Sequence, residues 1–403
     1  MLLWLFVIFS FYCNAQDISY VKNIASQLSS KEYAGRFVTH YSNDKLSGIS
    51  KAELFIKKEI EKIGAYDLEK YILKSKNFSN TIHFNKILFT TKSKTFPVTY
   101  TSNIISKCQL KINNTPLILG KDFIPEPSNP SIQFSGKLFR YDSTHFINKE
   151  HKIIFQSDKK LTYSAAQTQE DFTLIHIKDN VFKNYNTDTI SIDLITQAHQ
   201  QKVQSNNIYS FIPGTQYPDS FIVFSAHYDH LGNIDTTYFP GANDNASGVS
   251  VLLNLMQYCK THPLKYSVAF YFFTAEEIGL LGSEYYVKHP LFPLSRIKFL
   301  INLDLMGGGS EGIMVVNGKI FEKEFELLKK INEDKSLQLN IKARSKAQNS
   351  DHYWFSENGV KCFFIYTLGD IHAYHDIDDK AEKLKFSNYD HIFLLLINFT
   401  TNL

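Results

Sequence analysis

The chain has 403 residues, 43% hydrophobic and 21% charged, a balance that supports a large buried core and excludes an intrinsically disordered chain. Basic residues outnumber acidic ones by only three, 43 against 40, and the arginines are just Arg36, Arg140, Arg296 and Arg344. Because arginine supplies most bidentate recognition of phosphate and guanine, a nucleic-acid partner is not expected.

Leu2 to Cys13 form an apolar run too short to span a bilayer, and Asn14-Ala15-Gln16 follow it. This predicts a signal peptide over residues 1–15, cleaved before Gln16, with export to the periplasm or the extracellular space and no membrane span afterwards. The bulky Phe11-Tyr12 ahead of Cys13 argue against its lipidation. Cys108, Cys259 and Cys362 are widely spaced and form no C-x-x-C pair, so they read as small buried hydrophobes and not as a disulfide framework or a thiolate metal site.

Residues 16–75 read as two helices and a loop, the second helix being Ile49–Ile63 with apolar Ala52, Phe55, Ile56 and Ile60, stopped by Gly64. Over residues 76–204 the texture turns to short β-branched and aromatic runs, including Lys86–Phe89, Leu117–Leu119 and Lys152–Gln156, which predicts a β-rich insertion. From residue 205 the chain returns to one main unit. Near-continuous apolar strands at Phe221–Ala226, Ser267–Thr274, Phe299–Leu305, Ile313–Val316 and Cys362–Leu368 alternate with helical patterns at Ser247–Tyr258, Gly279–His289, Phe321–Glu333, Asp351–Asn358 and Tyr389–Thr400. That alternation predicts an α/β fold, a sheet covered by helices on both faces, with its chemistry beyond the carboxyl ends of the strands.

The residues following those strands are His227-Tyr228-Asp229-His230, Glu276-Glu277, Asp304, and His372-Ala373-Tyr374-His375-Asp376, with Gly241 to Gly248 opening a helix between the first two. Such a crowd of carboxylates would repel itself without a cation among them. His227, Asp244, Glu277, Asp304 and His375 offer two imidazoles and three carboxylates, enough for a divalent metal pair if one carboxylate bridges. Nitrogen and oxygen donors without thiolate suit zinc, and also cobalt or manganese. In the pair Glu276-Glu277, one residue can ligate while the other stays free as a general base.

The motifs AHYDHLG, GANDNASG, TAEEIGLLGS, NLDLMG, SDHYWF and AYHDIDD, in this order and spacing, resemble peptidase family M28, the dizinc exopeptidases, over roughly Phe221–Leu403. The stretch Glu32-Tyr33-Ala34-Gly35-Arg36 is similar to that family's opening, and Leu119–Phe123 resembles the start of a protease-associated insert. The resemblance implies a three-layer αβα zinc-exopeptidase fold with a mixed, largely parallel central sheet. It implies two zinc ions per chain, His227 and Asp304 on one, Glu277 and His375 on the other, and Asp244 bridging both. Glu276 would be the general base toward a water between the ions, and Tyr374 would stabilise the oxyanion. Asp229 would accept a hydrogen bond from the far nitrogen of His227 and so fix its tautomer. A cis peptide is implied at Asp244-Asn245.

Two departures stand out: Asp376 follows the last histidine where the family usually has Thr, and Asn349 precedes Ser350-Asp351-His352 where some members have Arg. The implied activity is that of an exported metallo-aminopeptidase acting on peptides with a free N-terminus. Its rivals are a single-zinc glutaminyl cyclase-like enzyme and a carboxypeptidase of the same family, the latter short of arginines to hold a terminal carboxylate. His230, His289 and His352 read as ordinary packed histidines, Asp351 as a loop-shaping residue, and His372 as a candidate lining residue.

Overall fold

A computed structural model describes residues 17–38, 46–66 and 94–403. The signal segment with Cys13, and the run Lys86–Phe89, lie outside the described residues. Helix α1 (Ile18–Leu28) is capped by Asp17, whose carboxylate accepts the Tyr20 amide, and it buries Val21, Ile24, Ala25 and Leu28, one stripe at helical spacing. Helix α2 (Gly48–Ile63) begins at Ser47 and ends on Gly64 in the left-handed region at φ 77°, with Ile49, Ala52, Ile56 and Ile60 inward.

Next come β1 (Lys94–Ile112), β2 (Thr115–Pro116), β3 (Phe123–Pro125), β4 (Ile132–Arg140), β5 (His145–Asn148), β6 (Ile153–Asp158), β7 (Thr173–Lys178), the short helix α3 (Asp179–Phe182) and β8 (Thr189–Ile212). Of the expected β runs here, Lys152–Gln156 falls on β6, whereas Leu117–Leu119 is a connection containing only the isolated bridge of Leu119 to Phe123. The second half carries β9 (Tyr217–His227), β10 (Asn233–Ile234), β11 (Thr237–Tyr238), α4 (Gly248–Thr261), β12 (Tyr266–Phe273), α5 (Leu281–Lys288), β13 (Ile297–Leu303), β14 (Gly312–Val316), α6 (Glu322–Asp334), β15 (Ile341–Ala343), α7 (His352–Glu357), β16 (Cys362–Leu368) and α8 (Tyr389–Asn402).

The fold is mixed α/β. Strands β16, β13, β9 and β12 are parallel neighbours, flanked by antiparallel β14 on one side and antiparallel β8 on the other. Alternate residues of these strands enter two different cores. Ile222, Phe224, Phe270, Phe272, Ile301 and Leu303 pack with residues of α1, α2, α4 and α8, while Phe221, Val223, Tyr271, Phe273 and Leu300 pack with Tyr286 of α5 and Phe355 of α7. Helices on both faces explain why the strands are apolar along most of their length.

A third core, including Phe123, Phe146, Phe155, Ile175, Ile192 and Leu194, belongs to the β-rich region, and Leu231, Ile234 and Phe239 join it from the other half. Strands β1 and β8 pair along their length from Ile112↔Ile192 to Lys94↔Tyr209. One end of β8 pairs with β4 and the other with β12, so the ribbon ties the two regions into one sheet. The expected boundary between residues 204 and 205 falls inside β8, which runs unbroken through it. Cys108, Cys259 and Cys362 are buried and unbridged. Among the described residues no helix is long and apolar enough to cross a membrane.

Candidate metal centre

The ligand candidates meet where the parallel strands end. His227 is the last residue of β9, Asp304 follows β13, Glu276 and Glu277 follow the turn after β12, and His375 lies in the loop after β16. Three of these turns hold non-glycine residues in the left-handed region: Ala275 (φ 57°), Leu305 (φ 56°) and His375 itself (φ 54°). Such conformations cost energy and cluster where geometry serves function.

Asp244 sits just before α4, next to a cis Asp244-Asn245 peptide. Gly241 ahead of it has φ 59°, and a Cβ there would lie 2.3 Å from the Asp244 carbonyl oxygen and 2.4 Å from the His230 ring. Only glycine fits this approach.

The Asp244 carboxylate lies between two imidazoles, with Oδ1 3.2 Å from His227 Nε2 and Oδ2 3.1 Å from His375 Nε2. His375 Nε2 is also 3.0 Å from Glu277 Oε2. On the other side His227 Nε2 is 3.4 Å from Asp304 Oδ2 and 3.9 Å from Glu276 Oε2, so Glu276 stands farthest from the imidazole. Potential ligand atoms of His227, Glu276 and Asp304, and of His227, Asp244 and Glu277, lie within 4.8 Å of one another. The side chains of all the metal candidates except His375 are almost fully buried.

Charge makes the same point. Burial opposes protonation of both histidines, but the carboxylates outweigh it: Glu276 and Asp304 hold His227 well above its usual pKa, and Glu277 with Asp244 holds His375 at about 11. Burial raises every carboxyl here. It prevails at Glu276, helped by Glu277, Asp351 and Asp304, and at Asp304. The imidazoles prevail at Asp244, which falls well below the usual range, and at Glu277, which falls to about 2. The residues fit a metal pair: nitrogen and oxygen donors without thiolate, carboxylates in excess of imidazoles, and Asp304 Oδ1 buried with no hydrogen-bond partner.

Neighbours fix these groups. The hydrogen bond from His227 Nδ1 goes to the backbone carbonyl of Asp229 at 3.2 Å. This differs from the expectation for Asp229, whose carboxylate is 3.7 Å from that nitrogen and instead accepts the amides of Glu276 and Glu277, each at 3.2 Å. Asp229 therefore holds the turn that carries both glutamates. Asp304 Oδ2 accepts from the Ser350 hydroxyl at 2.9 Å; Asn302 Nδ2 donates to that hydroxyl, and Ser225 to Asn302 Oδ1, each at 2.7 Å. The Tyr374 ring stacks on His375 with centroids 4.0 Å apart, and the residue is 45% exposed.

Three further residues escaped the sequence reading. His230 is fully buried and places Nδ1 2.6 Å from Glu277 Oε1, so it partners a ligand candidate and is more than an ordinary packed histidine; its place in the stretch His227 to His230 was the available signal. Asp379 accepts the amides of Asn243 at 2.8 Å and Asp244 at 3.0 Å. Arg36 is fully buried and donates to the carbonyls of Tyr228, Leu28, Pro240, Gly241 and Asp244, bracing the Asp244 segment from the N-terminal region.

Asp351, expected to shape a loop, is fully buried, and burial pushes its pKa up to about 7. His352 is packed and held at about 3 by burial, and His289 is exposed at the end of α5.

Residues 207–400 match the family model described as Peptidase family M28. Aminopeptidase YwaD of Bacillus subtilis is 34% identical over 154 residues, 36% of this chain and 31% of that protein. A probable leucine aminopeptidase 2 of Aspergillus oryzae is 30% identical over 131 residues, 32% of this chain and 25% of that protein. The aligned segments thus span less than a third of these relatives. Among solved structures, a zinc aminopeptidase from Bacillus subtilis superposes with a TM-score of 0.67 at 17% identity, covering 95% of this chain and 94% of that one. That likeness concerns the fold.

Proposed function

We propose, from the match of residues 207–400 to the model of peptidase family M28, that this chain is a zinc aminopeptidase that removes the N-terminal residue of peptides at a two-metal centre. The observation that carries this reading is Asp244, one carboxylate set between His227 and His375 at 3.2 and 3.1 Å, with Asp304 on the far side of His227 and Glu277 beside His375. In this reading His227 and Asp304 would hold one zinc and Glu277 and His375 the other, with Asp244 available to both. Two zinc ions there would acidify a water and polarise the scissile carbonyl.

The remaining work falls to the chain's own side chains. Glu276, kept apart from His227 and raised in pKa by burial, takes the proton of the attacking water and hands it to the leaving amine. Glu276 and Asp304 face the same space and bind the substrate's α-ammonium, which selects a free N-terminus. Tyr374, stacked on His375, donates to the developing oxyanion. Export belongs to the same reading, through the apolar segment Leu2–Cys13.

A panel of aminoacyl chromogenic amides with one N-acetylated control, run with and without chelator, tests the proposal. Cleavage confined to free amines, abolished by chelator and restored by zinc, is expected. Equal cleavage of the blocked control would overturn it. Release of a C-terminal residue would point to the carboxypeptidase reading, and cyclisation of N-terminal glutamine to the cyclase.

A further inference from the structure

Strands β6 and β7 are parallel neighbours, so no hairpin can join them and a crossover must. Residues 159–172 make that crossover without any helix. They leave the β-rich region and lie against two of the loops that carry ligand candidates. Lys160 Nζ donates to the carbonyl of His372 at 3.1 Å and of Tyr374 at 3.2 Å, and stands 3.4 Å from Asp376 Oδ2. The Tyr163 amide donates to the His375 carbonyl at 2.8 Å. Gln167 Nε2 donates to the Ile278 carbonyl, also at 2.8 Å, in the turn that follows Glu277.

The crossover is itself anchored. Leu161 and Tyr163 are buried, Tyr163 stacks on Phe239 with centroids 4.8 Å apart, and the Ala166 carbonyl accepts the Asn103 amide of β1 at 2.8 Å. The departure at Asp376 now has a structural counterpart: its carboxylate accepts the amides of Tyr374 and Asp378 and faces the Lys160 ammonium, where a Thr would offer no charge.

We propose that residues 160–167 are a positioning strap that holds the Glu277 and His375 loops at a fixed separation, with Lys160 locking the His375 loop. This gives the insertion a role in the centre, and it rests on the two-metal reading above. An exposed ion pair alone would be worth little. The strap acts instead through four hydrogen bonds to loop carbonyls, three of them around His375, whose own backbone sits at φ 54°, and one at Ile278 after Glu277. It does not touch His227 or Asp304 through any of these bonds, so its influence is one-sided.

Lys160 is half exposed, so K160M should fold. In metal-free protein, hydrogen exchange of the amides from Tyr374 to Asp379 should quicken about tenfold in K160M and stay unchanged in K160R, with β13 unaffected in both. Zinc titration of K160M, and of Q167L, should weaken one of two binding steps by roughly tenfold and leave the other within about twofold. Unchanged exchange together with two unchanged zinc steps would overturn the strap, as would equal weakening of both steps. If the unaltered protein takes up a single zinc, the two-metal reading fails, and the exchange data in metal-free protein still decide the strap.

Discussion

The two halves of the proposed centre are built differently. His227 and Asp304 stand at the ends of two central parallel strands, and the support behind Asp304 is the chain of Ser350, Asn302 and Ser225, all buried within the α/β sheet region. Glu277 and His375 stand on loops. Their supports come from two directions: Asp229 and His230 from the turn after β9, and Lys160, Tyr163 and Gln167 from the crossover of the β-rich region. A strand end is placed by the sheet's own hydrogen bonds, whereas a loop must be pinned from outside. Asp244 joins the halves, and Arg36 and Asp379 fix its backbone.

The largest effect should come where both halves act together. Glu276→Gln should lower kcat by roughly a factor of 10²–10⁴ while metal content stays at the unaltered level, measured by steady-state kinetics alongside elemental analysis. Arg36→Met should come next. It leaves several buried carbonyls without their donor, so metal-free protein should lose about 3 kcal/mol or more in denaturant unfolding.

His230→Leu should weaken zinc on the loop-borne side by roughly 10- to 100-fold, with His230→Asn, which keeps a donor near the same place, recovering part of the loss. Ser350→Ala should weaken the strand-borne side by about tenfold in the same zinc titration. If His230→Leu and Ser350→Ala moved the same step, the two halves would not be separate. The smallest signal is protonic. The carboxylates hold His375 at about 11 and push His227 upward from its usual value in the metal-free protein, so the protonated form of both imidazoles is favoured there. Zinc needs them neutral, so calorimetry in buffers of different ionisation enthalpy should report proton release on both steps.

The same contrast decides what could be read from the residues. Strands buried on both faces leave an unbroken apolar signature, so β9, β12, β13, β14 and β16 were legible, and with them the carboxylates and histidines at their ends. Strand β8 was not. Its stretch Gln197–Lys202 is mostly exposed because it crosses between two cores, so it carries no apolar pattern although it continues the same strand. Arg36 and His230 stayed hidden for another reason. Their roles depend on carbonyls and a carboxylate brought close only by folding, with Arg36 and Asp244 being 208 positions apart. Lys160 is one lysine in a lysine-rich sequence, and nothing in its neighbourhood announces that the crossover returns to the His375 loop.

The most direct test of the two-metal centre with unlike halves is a zinc titration of metal-free protein, read by competition with a chromophoric chelator. Two equivalents per chain are expected, in two steps, with Ser350→Ala shifting one and His230→Leu the other. A single equivalent in the unaltered protein, with activity fully restored at that point, would contradict it.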